Sequence, residues 1–209
     1  DYHFKVLFTI LNKLQKPYGE GLYHLSYGMV DLPDGKMKSR EGTTVEADDL
    51  MDEIVEKAAE ESQQNPDKIQ DMNADDLANL YERLGIGALK YYLINVDPKK
   101  RMLFDPKESI DLKGKTAPFI QYSYTRTQAL KRKAEGRSVS FELQHKLEEA
   151  LLESERSLLK LICNFPDVLA DAGEKLNPSL IARYAYEVAK EYNRFYRDAP
   201  ILSSKNPHT

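Results

Sequence analysis

Residues 32–44 read LPDGKMKSREGTT, with Lys36, Lys38 and Arg40 on alternate positions, Gly35 and Gly42 at the ends, and a Pro-Asp-Gly turn in front. What stands on either side decides the fold. Upstream, LYHLSYGMVDL at 22–32 alternates in part and is rich in aromatic and branched residues. That pattern predicts a strand of about seven residues, stopped at Pro33-Asp34-Gly35. Downstream, TTVEADDLMDEIVEKAAEES places acids in a first helical turn, where the macrodipole favours them, and sets Leu50, Ile54, Val55 and Ala58 on one face. The cationic loop therefore joins a strand to a helix. Cations on a glycine-hinged loop can close over a polyphosphate as charge builds on its oxygens, which lowers a barrier without tightening ground-state binding. The same spacing also suits an exposed basic hairpin turn. The Walker pattern GxxxxGK[ST] is absent, and no helix opens straight after a lysine.

Further from the loop, the apolar period turns helical almost everywhere. Phe4, Leu7, Phe8, Leu11 and Leu14 predict an amphipathic helix over 3–14, ended by Pro17 and Gly19. Asn65-Pro66 closes the helix that follows the loop. Asn73, with Asp76 three residues on, caps a helix expected to end at Gly85. A second helical piece, IGALKYYLINV, follows the Gly85/Gly87 break. Residues 97–106 read as a connector, and Pro106 as the start of a short helix ending near Gly114. From there only helices are expected. One runs over TAPFIQYSYTRTQALKRKAEG. A long one, capped by Ser140, covers 141–165 with Leu143, Leu147, Ala150, Leu151, Leu158 and Leu161 on its inner face. A short one lies around 168–176. The last, over 179–197, is opened by Asn177 as cap and Pro178 at the first position. No internal repeat stands out. The pattern divides into a small α/β part at 1–45, a helical connector at 46–113 and a helical bundle at 114–209.

The 209 residues carry a formal net charge of −4, unevenly spread. Residues 46–76 hold twelve acids against Lys57 and Lys68, whereas 111–137 hold seven Lys/Arg against Asp111 and Glu135. The overall sign excludes a general nucleic-acid coat, while the basic stretch permits one docking face; both runs also suit solvated helix faces. Cys163, the single cysteine, sits in LLKLICNF and reads as core filler. It allows no internal disulfide and lacks metal-ligand spacing, so no metal is expected and a reducing, cytoplasmic setting is. No apolar run has the length of a membrane span. The chain opens without Met and in mid-period, so it is expected to be a fragment cut at both ends.

GKMKSREG resembles the lysine-methionine-serine-lysine signature of class I aminoacyl-tRNA synthetases, which follows the last strand of their nucleotide-binding core. More narrowly, SYGMVDLPDGKMKSREGTTVEADDLMDEI is similar to the arginyl-tRNA synthetase pattern GKxFKTRxGxxVxLxDLLDE. HFKVLF near the start, TAPFIQYSYTR at 116–126 and YNRFYRDAPIL at 192–202 fit the same family in order. The resemblance implies a mainly α chain. A small α/β remnant of a Rossmann-like class I core, lacking the core's first half, would precede an all-helical anticodon-binding domain truncated at its C-terminus.

The implied activity is ATP-dependent activation of arginine and its transfer to tRNA(Arg). ATP with Mg2+ is substrate, no cofactor is tightly bound, and the protein acts as a monomer away from membranes. Lys38 is implied as the phosphate clamp, with Lys36 and Arg40 as helpers. Met37 and Ser39 complete the ATP-binding signature, Ser39 standing where the class has its second lysine. Gln121, Tyr124, Arg126, Asn193, Tyr196 and Arg197 are implied as tRNA contacts. Tyr184 and Tyr192 fit core packing better, and Lys131, Arg132 and Lys133 suit phosphate or solvent equally. His3 and His24 suit either the nucleotide site's border or a structural role, and no His-Ile-Gly-His-like segment occurs. Three other readings stay open: a helical tRNA-binding module without aminoacylation, a plain interaction scaffold whose basic loop is incidental, and another class I synthetase such as the cysteinyl enzyme.

Overall fold

Amphipathic helices separated by Pro, Asn and Gly punctuation produce a mainly α fold. The computed structural model describes residues 1–31, 46–64, 66, 69–105, 108, 114–137, 151–199 and 201–202. In chain order these form α1 (Tyr2–Lys13), a 3-10 turn (Gly19–Gly21), β1 (Val30–Asp31), α2 (Ala47–Gln63) and α3 (Ala74–Ile94). Then come β2 (Met102–Leu103), α4 (Ala117–Glu135), α5 (Glu153–Cys163), α6 (Phe165–Glu174) and α7 (Ser179–Asp198).

The α1 helix stops by backbone closure before Pro17 is reached. Gln15 takes a left-handed φ of 51°, its N–H donates to Asn12 O, and the Lys16 N–H donates to Leu11 O. That is a Schellman closure without glycine. The same device ends α6: Leu176 sits at φ 48°, with Leu176 N–H on Gly173 O and Asn177 N–H on Ala172 O.

The strand expected over 22–32 is much shorter. Only Val30 and Asp31 pair, in parallel, with Met102 and Leu103. A ladder needs a partner backbone, and among the described residues only β2 supplies one. It comes from the stretch read as a connector, where two paired residues are too few to leave a periodic signal. The alternation over 22–29 survives as burial: Tyr23, Leu25, Tyr27 and Met29 are exposed, their neighbours half-buried. Gly28 lies so close to the Lys100 carbonyl that no side chain fits there. Arg101 holds Asp31 through two hydrogen bonds, its Nη2 at 2.8 Å and its Nε closer.

The α2–α3 pair forms the apolar core. Ile54, Ala58, Ala88, Leu89 and Phe104 are buried, with Leu50, Val55 and Leu84 packed around them. Asn73 caps α3, its Oδ1 accepting the Asp76 N–H at 2.8 Å. The helix then runs unbroken through Gly85 and Gly87, where a break was expected. Gly85 serves close approach: a Cβ there would lie 2.9 Å from Ile54 O and from Val55 Cα. Helix propensity is a weak prior, and interhelical packing overrides it here.

The second half is built around α7, against which α3, α4, α5 and α6 all pack. Buried Ala182 and Ala189 let its neighbours come close. Tyr91, Ala117 and Ala182 make a smaller core with Ile120 and Tyr186 beside it. Burial there pushes the Tyr91 hydroxyl up to about 12, with Tyr186 and Glu187 adding to it.

Three further expectations change in the second half of the chain. The continuous helix over 141–165 is interrupted, because Leu152 is extended (ψ 154°) and its N–H is taken by the Glu155 carboxylate at 2.7 Å. A new helix therefore starts at Glu153. Ser140, Leu143, Leu147 and Ala150 lie outside the described residues. The following helix begins at Phe165, ahead of the expected 168, with Pro166 in its first turn. Cys163 is exposed, not core.

Candidate nucleic-acid interface

Helical spacing assembles the site. On α4, Tyr122 and Arg126 are one turn apart and share a face; on α7, Asn193 and Tyr196 do the same. Packing α4 against α7 brings the two pairs together. The Arg126 guanidinium lies 4.8 Å from the Tyr122 ring centre and 4.8 Å from that of Tyr196. Its Nη2 donates to the Tyr122 hydroxyl at 3.1 Å and its Nη1 to Asn193 Oδ1 at 2.6 Å. Asn193 Nδ2 donates to Ser123 Oγ at 2.6 Å, and the Ser123 hydroxyl donates to Phe119 O at 2.8 Å. The Tyr192 ring lies 6.1 Å from that of Tyr196, tilted by 50° to it. Burial pushes the Tyr192 hydroxyl up, Tyr196 adds to this, and Arg126 pulls the other way.

At the end of this face is a cavity of about 330 Å³ lined by Leu130, Lys133, Arg137, Tyr196, Ala199 and Ile201, among others. Arg137 donates to Leu202 O at 2.8 Å, fixing the segment after α7. Two cations, an aromatic edge and an apolar floor suit the phosphate and base of an unpaired nucleotide.

Of the expected tRNA contacts, Arg126, Asn193 and Tyr196 come together. Tyr124 stands 64% exposed on α4. Arg197 is exposed beside Asp198, 3.4 Å away. Gln121 is turned elsewhere: its Nε2 donates to Arg83 O of α3 at 3.0 Å, against Gly87. Lys131, Arg132 and Lys133 are exposed. Tyr184 packs, its hydroxyl on Leu161 O at 3.0 Å. Neither Tyr122 nor Arg137 is among the residues singled out from the sequence. The Tyr–Arg pair at i, i+4 was the available signal for Tyr122.

Lys36, Met37, Lys38, Ser39 and Arg40 lie outside the described residues. The structure gives their attachment points, the carboxyl end of parallel strand β1 and the start of α2. In open α/β sheets ligands collect at that end of the strands. His24 is half-buried, stacked on Phe4 at 3.9 Å and within 3.1 Å of the Asp1 carboxylate, while His3 is exposed. Among the described residues no cluster of three or more His, Cys, Asp or Glu could hold a metal, and no helix is long and apolar enough to cross a membrane.

A pair of short parallel strands, a helical hairpin and a helical bundle with a cation–aromatic face make up the described residues, the class of a mainly α chain with a small α/β part. Comparison with known proteins gives the family. Residues 1–105 match the family described as tRNA synthetases class I (R), catalytic domain, and residues 120–209 match the DALR anticodon binding domain. The chain belongs to the class I tRNA synthetase (R) family, the arginyl branch. An arginine–tRNA ligase of Parabacteroides distasonis is 46% identical over 207 residues, which is 99% of this chain and 34% of that protein. One of Bacteroides thetaiotaomicron is 49% identical over 208 residues, with the same coverage. The chain thus spans about a third of the length of these curated relatives. In fold it is similar to Thermus thermophilus arginyl-tRNA synthetase, with a TM-score of 0.76 at 23% identity over 91% of this chain and 31% of the other.

Proposed function

We propose that the complete protein is an ATP-dependent arginine–tRNA ligase, forming arginyl-adenylate and transferring arginine to tRNA(Arg). The observation that carries this reading is the ordered pair of family matches, catalytic domain then anticodon-binding domain, along one chain. In it, residues 1–45 are the end of the catalytic core, 46–113 the helical connector and 114–209 most of the anticodon-binding domain. Lys38 neutralises charge on the departing pyrophosphate, with Lys36 and Arg40 assisting and Met37 and Ser39 shaping the loop around ATP. Magnesium enters with the nucleotide. Arginine is held mainly by residues this chain does not contain, and the protein works as a cytoplasmic monomer. The α4–α7 face holds the tRNA, with Arg126 and Tyr196 at its centre and Tyr124 and Arg197 on its rim.

The experiment is ATP–pyrophosphate exchange and tRNA charging by the full-length protein, beside tRNA binding by the 209-residue chain. The full-length protein is expected to charge tRNA(Arg), with Lys38→Ala slowing adenylate formation far more than it weakens arginine binding. An unchanged rate in that variant removes Lys38 from its role. The chain alone is expected to bind tRNA in a salt-dependent way without catalysing exchange. A full-length protein that binds tRNA but charges none is a tRNA-binding module, and one that charges tRNA(Cys) is the cysteinyl enzyme.

A further inference from the structure

We infer that Asn193 is a positioning residue: its amide aims the Arg126 guanidinium between the Tyr122 and Tyr196 rings, and it acts on RNA only through Arg126. The inference rests on the reading of the α4–α7 face as the tRNA site. The direction of the amide follows from counting protons. The Ser123 hydroxyl has one, given to Phe119 O at 2.8 Å. Ser123 Oγ can then only accept, so the group facing it at 2.6 Å is the Asn193 NH2. The amide oxygen is left facing Arg126 Nη1, also at 2.6 Å. Asn193 thus presents a single neutral acceptor to a guanidinium that lies 4.8 Å from the centres of two tyrosine rings. Both ends of the amide are spent on α4, from a residue on α7. Two of the five guanidinium N–H donors are used inside the protein by Asn193 and Tyr122, and the others stay free of these two partners. A long, flexible arginine held this way loses little freedom when it meets a phosphate or a base edge. The acceptor must be neutral, because a carboxylate in its place would cancel the charge.

The test is a double-mutant cycle on the full-length protein. The affinity for a transcript of tRNA(Arg) is measured across salt concentrations for the parent, Asn193→Ala, Arg126→Ala and the double variant. Asn193→Ala is expected to weaken binding about five- to tenfold. On the Arg126→Ala background it should change affinity by less than about twofold, because the residue it serves is gone. A loss that persists in full on that background, or no loss from Asn193→Ala alone, overturns the inference while leaving the tRNA site standing. Arg126→Ala without effect on affinity or salt slope overturns the reading of the site and this inference together. Should Asn193→Ala fail to fold, Asn193→Asp decides. It keeps the acceptor but neutralises the cation, so the slope of log K against log[salt] should fall by about 0.7–0.9. An unchanged slope in a folded Asn193→Asp overturns the inference.

Discussion

The α2–α3 and α4–α7 contacts join helices of similar length in different ways. The first is dry. Ile54, Ala88 and Phe104 are fully buried, and Gly85 lets the two backbones nearly touch. The second is mixed: Ala117, Ile120, Ala182 and Tyr186 pack together at one end, while Ser123, Asn193, Arg126 and two tyrosines span the other, where Tyr122 and Tyr196 remain 48% and 38% exposed. An apolar contact returns roughly 25 cal/mol for each Å² it hides, whereas a net hydrogen bond returns only about 1 kcal/mol. A polar join held at a half-open surface therefore adds little stability for its size. What it adds is a fixed arrangement of donors and rings. The hairpin is built for cohesion and the bundle face for contact with something else.

The comparison can be broken most directly at Phe104. Phe104→Ala should cost about 3–5 kcal/mol, read by denaturant unfolding, and a loss under 1 kcal/mol would deny the hairpin its core. Gly85→Ala comes next. The extra methyl gains about 1 kcal/mol of helix propensity, yet it meets the α2 backbone, so a net loss of about 1–3 kcal/mol is expected. A stabilised variant would mean that the helices stand further apart. Arg126→Lys sharpens the other side. It keeps the charge and loses the planar stack, so stability should fall by about 1 kcal/mol or less. Its affinity for tRNA should fall several-fold, and the two readouts moving in proportion would erase the distinction. The smallest effect belongs to Leu176→Gly, which relieves a left-handed φ on a branched residue and should add about 0.5–1 kcal/mol. The check is a rise in melting temperature.

Helices were legible because each carries its own period, and α3 a side-chain cap as well: Asn73 with Asp76 announced α3, and Leu50, Ile54 and Ala58 announced its partner. What failed was anything set by a distant neighbour. Gly85 looked like a stop because a glycine's use, admitting another backbone, is invisible without that backbone. Residues 22–27 look like a strand yet pair with no described strand, while Met102–Leu103 pair without looking like one. Leu152 interrupts a sound helical period through a hydrogen bond to Glu155 that no periodicity predicts. The site divides the same way. Basic and aromatic residues of α4 stood out locally, but the Arg126–Asn193 bond joins positions 67 apart. Gln121, alike in the string, serves α3 instead.

Asn177 has three duties at once. Its N–H closes α6 on Ala172 O, its Oδ1 accepts the Ser179 N–H at 3.1 Å where α7 begins, and its Nδ2 reaches Asp97 at 3.2 Å. For anyone transplanting the helical bundle onto a different core, the splice point follows from that last bond. A cut at 114 would leave Asp97 behind and strip the start of α7 of its anchor. A cut upstream of Asp97 carries the joint along intact.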